Sequence, residues 1–166
     1  MSNKLEFEAG DFVVYPAHGV GRVEGIETHV IAGQEIQLYA ITFEKERMTL
    51  KVPVTKAKNS GLRRLSTKDR IKVALETLQG RSRIRRTMWS RRAQEYEAKI
   101  NSGDPVSIAE VVRDLYRGTD QSDQSYSERQ IYQAALERLA RELAAVEKID
   151  ELKATERLEQ VLKKAA

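Results

Sequence analysis

Between Leu65 and Ser66 the spacing of apolar residues changes from two to about 3.6. Alternation at every second residue buries one face of a strand, whereas a spacing near 3.6 buries one stripe of a helix. One element cannot carry both periods. The chain therefore reads as two domains, residues 1–65 and 66–166, and its 166 residues are enough for two small cores.

In the first domain Phe12-Val-Val-Tyr15 is a short apolar run closed by Pro16 and Gly19, and Val20–Ile26 alternates as a half-buried strand does. Thr28-His-Val-Ile31 predicts a further strand. It breaks at Ala32-Gly33-Gln34, a hairpin turn with glycine where positive φ is needed. Ile36–Phe43 resumes the β pattern, Glu44–Arg47 is a charged turn, and Met48–Val52 is a strand ended by Pro53, whose missing N–H bars it from a central ladder. Four or five short antiparallel strands predict a small Tudor/SH3-like β-barrel. Such a barrel leaves strand edges open, and an open edge accepts a strand from a partner.

The second domain reads as an all-α bundle of about five helices, which makes the chain α+β. Ser66 is the expected cap of the first helix, with Asp69 in its first turn, Ile71, Ala74, Leu75 and Leu78 inward, and Gly80 at its end. A helix is expected over Met88–Ile100, and Arg81–Thr87 suits either a helix or an ordered loop. After the break at Asn101–Pro105, Ser107-Ile-Ala-Glu110 has capping-box spacing, and Ile108, Val111, Val112 and Leu115 form a stripe. Ser125-Tyr-Ser-Glu128 repeats the capping-box spacing before Ile131, Tyr132, Ala135, Leu136, Leu139 and Leu143. Ile149, Leu152, Leu158, Val161 and Leu162 mark the last helix.

Charge adds a direction to this plan. The net charge of +4 is unevenly spread: residues 1–65 carry 9 basic and 8 acidic groups, residues 66–100 carry 10 and 4, and residues 101–166 carry 10 and 13. The positive field is centred on Arg81–Arg92, which holds six arginines, no acid and the only tryptophan. Arginine attracts phosphates and bonds them through its fork, and an exposed indole stacks on a base or wedges between base steps. The same residues have a plainer reading. Trp89, Ala93, Tyr96 and Ile100 share one helical face, which favours a buried Trp, and the arginines suit a solvated face.

Other classes are poorly served. The absence of cysteine excludes disulfides, thiolate zinc sites and thiol nucleophiles. His18 and His29 are the only histidines, and neither a metal-spaced pair, a nucleophile elbow nor a Walker A sequence is present. Gly19-Val-Gly21 suits a β-turn better than a phosphate loop. No catalytic residue, metal or cofactor is expected. The N-terminus lacks a signal-peptide core and no apolar run reaches spanning length, so a cytoplasmic protein without a membrane partner is expected. The lack of a long heptad seam suits a monomer.

Gly10-Asp-Phe-Val-Val-Tyr-Pro-Ala-His-Gly19, Val23-Glu-Gly-Ile-Glu27, Val52-Pro53, Trp89-Ser-Arg-Arg92 and Ala109-Glu-Val-Val-Arg-Asp-Leu115 together make the chain resemble the CarD/CdnL family of bacterial transcription regulators. The resemblance runs from about Phe7 to the C-terminus. The opening motif is shared with the polymerase-interacting domain of transcription-repair coupling factors, and the two later motifs separate the families.

The resemblance implies a Tudor-like domain that binds the β subunit of RNA polymerase by a strand edge with basic side chains nearby. The matching positions are His29, Ile31, Lys51 and Pro53, with His29 standing where some members carry Arg. It also implies a helical domain whose tryptophan, here Trp89, wedges into the minor groove at the upstream edge of the transcription bubble. Arg91 and Arg92 follow it within reach of phosphates, and their 100° separation on a helix predicts unequal roles. Arg81, Arg83, Arg85 and Arg86 lie outside the motif; Arg85 and Arg86 extend the candidate DNA contacts, or else keep the surface soluble. The expected function is a regulator, nucleoid-associated through polymerase, that stabilises the open promoter complex while binding DNA weakly and without sequence preference. The alternative is a protein-protein adaptor docked on polymerase whose bundle recruits another protein. Architectural binding to free duplex is a third reading.

Overall fold

The computed structural model describes residues 6–82, 87–117 and 125–165. They divide into two units, Met1–Leu65 and Ser66–Ala166. The first contains β1 (Phe12–Tyr15), β2 (Gly19–Ile31), β3 (Gln34–Phe43), β4 (Met48–Pro53) and β5 (Arg63–Arg64). They pair antiparallel in the order β4-β3-β2-β1-β5. Among the described residues the sheet does not close, so β4 and β5 are its edges.

Two departures from the sequence pattern have identifiable physical causes. Val20–Ile26 and Thr28–Ile31 are parts of one strand of 13 residues, and a register shift between Val23 and Gly25 inserts a bulge. The bulge changes the phase of alternation, so the inward positions move from Val23 to Ile26 and the pattern resembles two strands. The fifth strand is only Arg63–Arg64, paired with Val13 and Val14. Two arginines carry no apolar period for a sequence to show.

One face of the sheet buries Phe7, Val13, Val23, Tyr39, Ile41, Phe43 and Val52. Each large side chain removed from water contributes roughly 1.5–3 kcal/mol before conformational entropy is subtracted. Gly21 lies opposite Phe43, and a Cβ there would sit 2.7 Å from both Ile41 Cγ2 and Phe43 Cε1. Glycine is required by this close approach. The opening motif is likewise architectural: Val13 and Val14 are buried, His18 stacks on Tyr15 at 5.7 Å, and Gly19 takes φ 81° where the chain turns into β2.

The second unit comprises α1 (Lys68–Leu78), α2 (Trp89–Asn101), α3 (Pro105–Leu115), α4 (Tyr126–Glu147) and α5 (Glu151–Ala165). α3 packs against α1, α2 and α4, and α5 closes on α4 and α1. The Ala109–Leu115 motif lies in this central helix, with Ala109, Val111, Val112 and Leu115 fully buried. Arg113 Nε and Asp114 Oδ1 pair at 2.9 Å with side chains only 10% and 4% exposed. Its composition answers to the core.

Two helix boundaries and one core position differ from expectation. Thr67, not Ser66, caps α1 by accepting the Arg70 amide, while the Ser66 amide donates to Glu142 Oε2 at 2.8 Å. Asp104 caps α3, followed by Pro105 in the first turn, so the Ser107 capping box lies inside the helix. Leu152 is 78% exposed and outside the core, whereas Ala154, Leu158 and Leu162 face inward. Ser125 does cap α4, accepting from the Glu128 amide at 3.1 Å. No described helix is long and apolar enough to cross a membrane.

Candidate partner and nucleic-acid interfaces

The register of the sheet brings the four predicted partner-contact residues to one face. Glu27 pairs with Leu38 and Leu38 with Pro53; Gly25 pairs with Ala40 and Ala40 with Lys51; His29 pairs with Ile36. Residues two apart on a strand share a face. Glu27, His29 and Ile31 of β2 therefore lie on the same side as Ile36 and Leu38 of β3 and Lys51 and Pro53 of β4, opposite the core residues Ile26, Tyr39 and Val52. Ile31 is 54% exposed at the tip of the β2–β3 hairpin, where Ala32 and Gly33 both adopt positive φ. An apolar strip thus runs toward the open β4 edge beside a basic group.

The charge on this face is organised by a residue that sequence reasoning missed. Glu27 Oε1 accepts from Lys51 Nζ at 2.9 Å and lies 2.9 Å from His29 Nε2. The His29 and Lys51 bonds hold the Glu27 carboxyl below its usual pKa. The signal was available: Glu27 precedes His29 by two residues, which on a strand means the same face.

In the bundle, Trp89 occupies the first turn of α2 at the rim of the core, half-buried. It meets neither extreme expected from sequence. Its indole N–H donates to Ser127 Oγ, in the first turn of α4, at 3.2 Å. Its ring lies 6.2 Å from that of Tyr96, tilted by 48°. Arg92 and Arg91 differ sharply. The Arg92 guanidinium carbon stands 5.3 Å from the Trp89 ring centre and 5.7 Å from that of Tyr96, and Arg92 Nη2 donates to the Tyr96 hydroxyl at 3.3 Å. Arg91 is exposed, as is neighbouring Met88 at 78%.

Met88 caps α2 with no side-chain hydrogen bond, and no acid lies in the first turn. No carboxylate within that turn offsets the partial positive charge of the helix start. Tyr126, beside Ser127, is 75% exposed on the same rim. Arg85 and Arg86, with Arg83, lie outside the described residues, and Arg81 is exposed. No group of three or more metal-ligating side chains occurs among the described residues.

Residues 7–66 match the CarD-like/TRCF RID domain, whose fold is Tudor-like, and residues 73–159 match CarD, C-terminal domain. The chain is also 32% identical over 145 residues to "Putative transcription factor YdeB" of Bacillus subtilis (strain 168), an alignment covering 87% of this chain and 95% of that protein. Both halves match in the order found here, and the chain belongs to the CarD-like family of transcription factors.

Proposed function

We propose that this transcription factor binds the β subunit of RNA polymerase through the β4 edge and the outer face bearing His29, Ile31, Lys51 and Pro53. In this reading it stabilises the open promoter complex by inserting Trp89 into the minor groove at the upstream edge of the bubble. The observation that carries the reading is the position of Trp89: it lies half-buried on the bundle's rim, at a helix start flanked by Met88 and Arg91. An indole inserted beside an opened step opposes restacking, and the few kcal/mol of unstacking energy is of the size that biases closed against open complex. Arg91 and the α2 N-terminus supply the positive charge for the adjoining phosphates, with Arg85 and Arg86 as further contacts.

None of these contacts reads base edges, so promoter choice belongs to the polymerase. Tethering by the sheet raises the effective concentration of the bundle at the promoter, which allows a weak DNA affinity to act strongly there. The role requires no catalytic residue or cofactor, and a monomer suffices.

Binding of the full chain to core polymerase tests the docking face. Lys51→Glu reverses a charge on the edge strand and should weaken binding about tenfold, while Trp89→Ala binds as wild type does. Unchanged binding by Lys51→Glu would refute the docking face. Photocross-links from the bundle to protein alone, never to promoter DNA, would favour the adaptor.

A further inference from the structure

We propose that Arg92 and Ser127 are positioning residues that clamp the Trp89 indole before DNA arrives, and that Arg92 acts through the indole and not by holding a phosphate. This rests on the reading of Trp89 as the wedge. Trp89, Arg92 and Tyr96 are three and then four residues apart on α2, so they share one face. The Arg92 guanidinium bridges both rings, at 5.3 and 5.7 Å from their centres, and is tied to the Tyr96 hydroxyl. Arg92 Nε is buried without a hydrogen-bond partner among the described residues. A guanidinium that gives up hydration in this way is compensated by stacking on aromatic faces, an interaction to which its planar, weakly hydrated shape is suited.

The second hold comes from another helix. Ser127 accepts the indole N–H at 3.2 Å. Its own position is set by the Ser125 cap and by the Arg117 Nη2–Glu128 Oε2 pair at 3.2 Å. The indole is thus gripped by a stack on α2 and by the hydrogen bond it donates to α4. A side chain ordered in advance does not have to lose its rotational freedom on binding.

The substitution Arg92→Lys separates the two roles open to this arginine. It keeps the charge that a phosphate contact needs but loses the planar stack. Because the chain has one tryptophan, its fluorescence reports this site alone. In the free full-length protein, Arg92→Lys and Ser127→Ala should raise acrylamide quenching and lower anisotropy, and Ser127→Thr, which retains a hydroxyl, should restore both. On promoter complexes formed with RNA polymerase, Arg92→Lys and Ser127→Ala should shorten open-complex lifetime about three- to tenfold, with Ser127→Thr again restoring it. Unaltered fluorescence in both variants would overturn the clamp. So would altered fluorescence with full lifetimes, provided that Trp89→Ala shortens them. If Trp89→Ala itself leaves the lifetime unchanged, the wedge reading fails first and the positioning role falls with it; the fluorescence still shows separately whether the clamp exists.

Discussion

Replacing Asp104 by alanine removes the cap of α3 together with a tie to α1. Asp104 Oδ1 accepts from the Val106 amide at 3.4 Å and from Arg70 Nη2 at 2.8 Å, and Oδ2 accepts from the Ser107 hydroxyl at 3.1 Å. Losing an Asp cap costs about 1 kcal/mol. The Arg70 pair adds little more, about 0.5 kcal/mol, because its side chains are 48% and 34% exposed and the attraction is screened. The expected loss of about 1–2 kcal/mol corresponds, for a helical unit of this size, to a fall in Tm of roughly 5–15 °C. Asp104→Asn keeps a good capping oxygen and should lose only the smaller part. Far-UV circular dichroism melts of the full chain measure both.

The pH dependence supplies an independent check. Burial raises the Asp104 pKa, but the Arg70, Ser107 and Val106 contacts outweigh it and the group lies below its usual value of 3.8. A depressed carboxyl contributes stability that is present above the unfolded pKa and is lost as pH falls through the folded one. The difference between wild type and Asp104→Asn should therefore hold from neutral pH to about 4 and shrink below that. An unchanged Tm in Asp104→Ala, or a difference that widens in acid, would overturn this assignment of the cap and its charge.

Three further outcomes follow from particular packing. Gly21→Ala forces a methyl group to within 2.7 Å of Ile41 and Phe43, so it should destabilise the sheet by about 1–3 kcal/mol or prevent folding, as urea titration would record. Leu158→Ala empties a fully buried site in the bundle and should cost about 2–5 kcal/mol in the same assay. The Glu27 carboxyl, followed by NMR, should titrate below 4.5 and move upward in Lys51→Met; its folded-state contribution is lost only as pH falls through that lowered value.

Much of this architecture was legible because periodicity is a local property. The change of period at Leu65–Ser66 coincides with the boundary between the two units, and the inward stripes of α1, α3 and α4 follow directly from spacing. Features set by distant partners were not legible. Ser66 is drawn to Glu142, 76 residues away, so the cap falls to Thr67. Asp104 gains its Arg70 partner 34 residues away and starts α3 before the capping box. β5 exists only because Val13 and Val14 offer it a ladder.

At the candidate sites, the shared face of His29, Ile31, Lys51 and Pro53 follows from strand register, which β-alternation alone does not supply across three strands. The helical spacing of Trp89, Arg92 and Tyr96 was readable. The division of labour between adjacent Arg91 and Arg92 was not, because it depends on which of them turns back over the rings.

Open-complex lifetime is the sharpest test of the Trp89 wedge. One promoter and purified polymerase, at fixed salt, would be compared without the protein, with wild type and with Trp89→Ala. A wedge lengthens the lifetime with wild type alone, while the variant still binds polymerase. Equal lengthening by wild type and Trp89→Ala would contradict the wedge and move the activity to the arginines or to the sheet's effect on the polymerase.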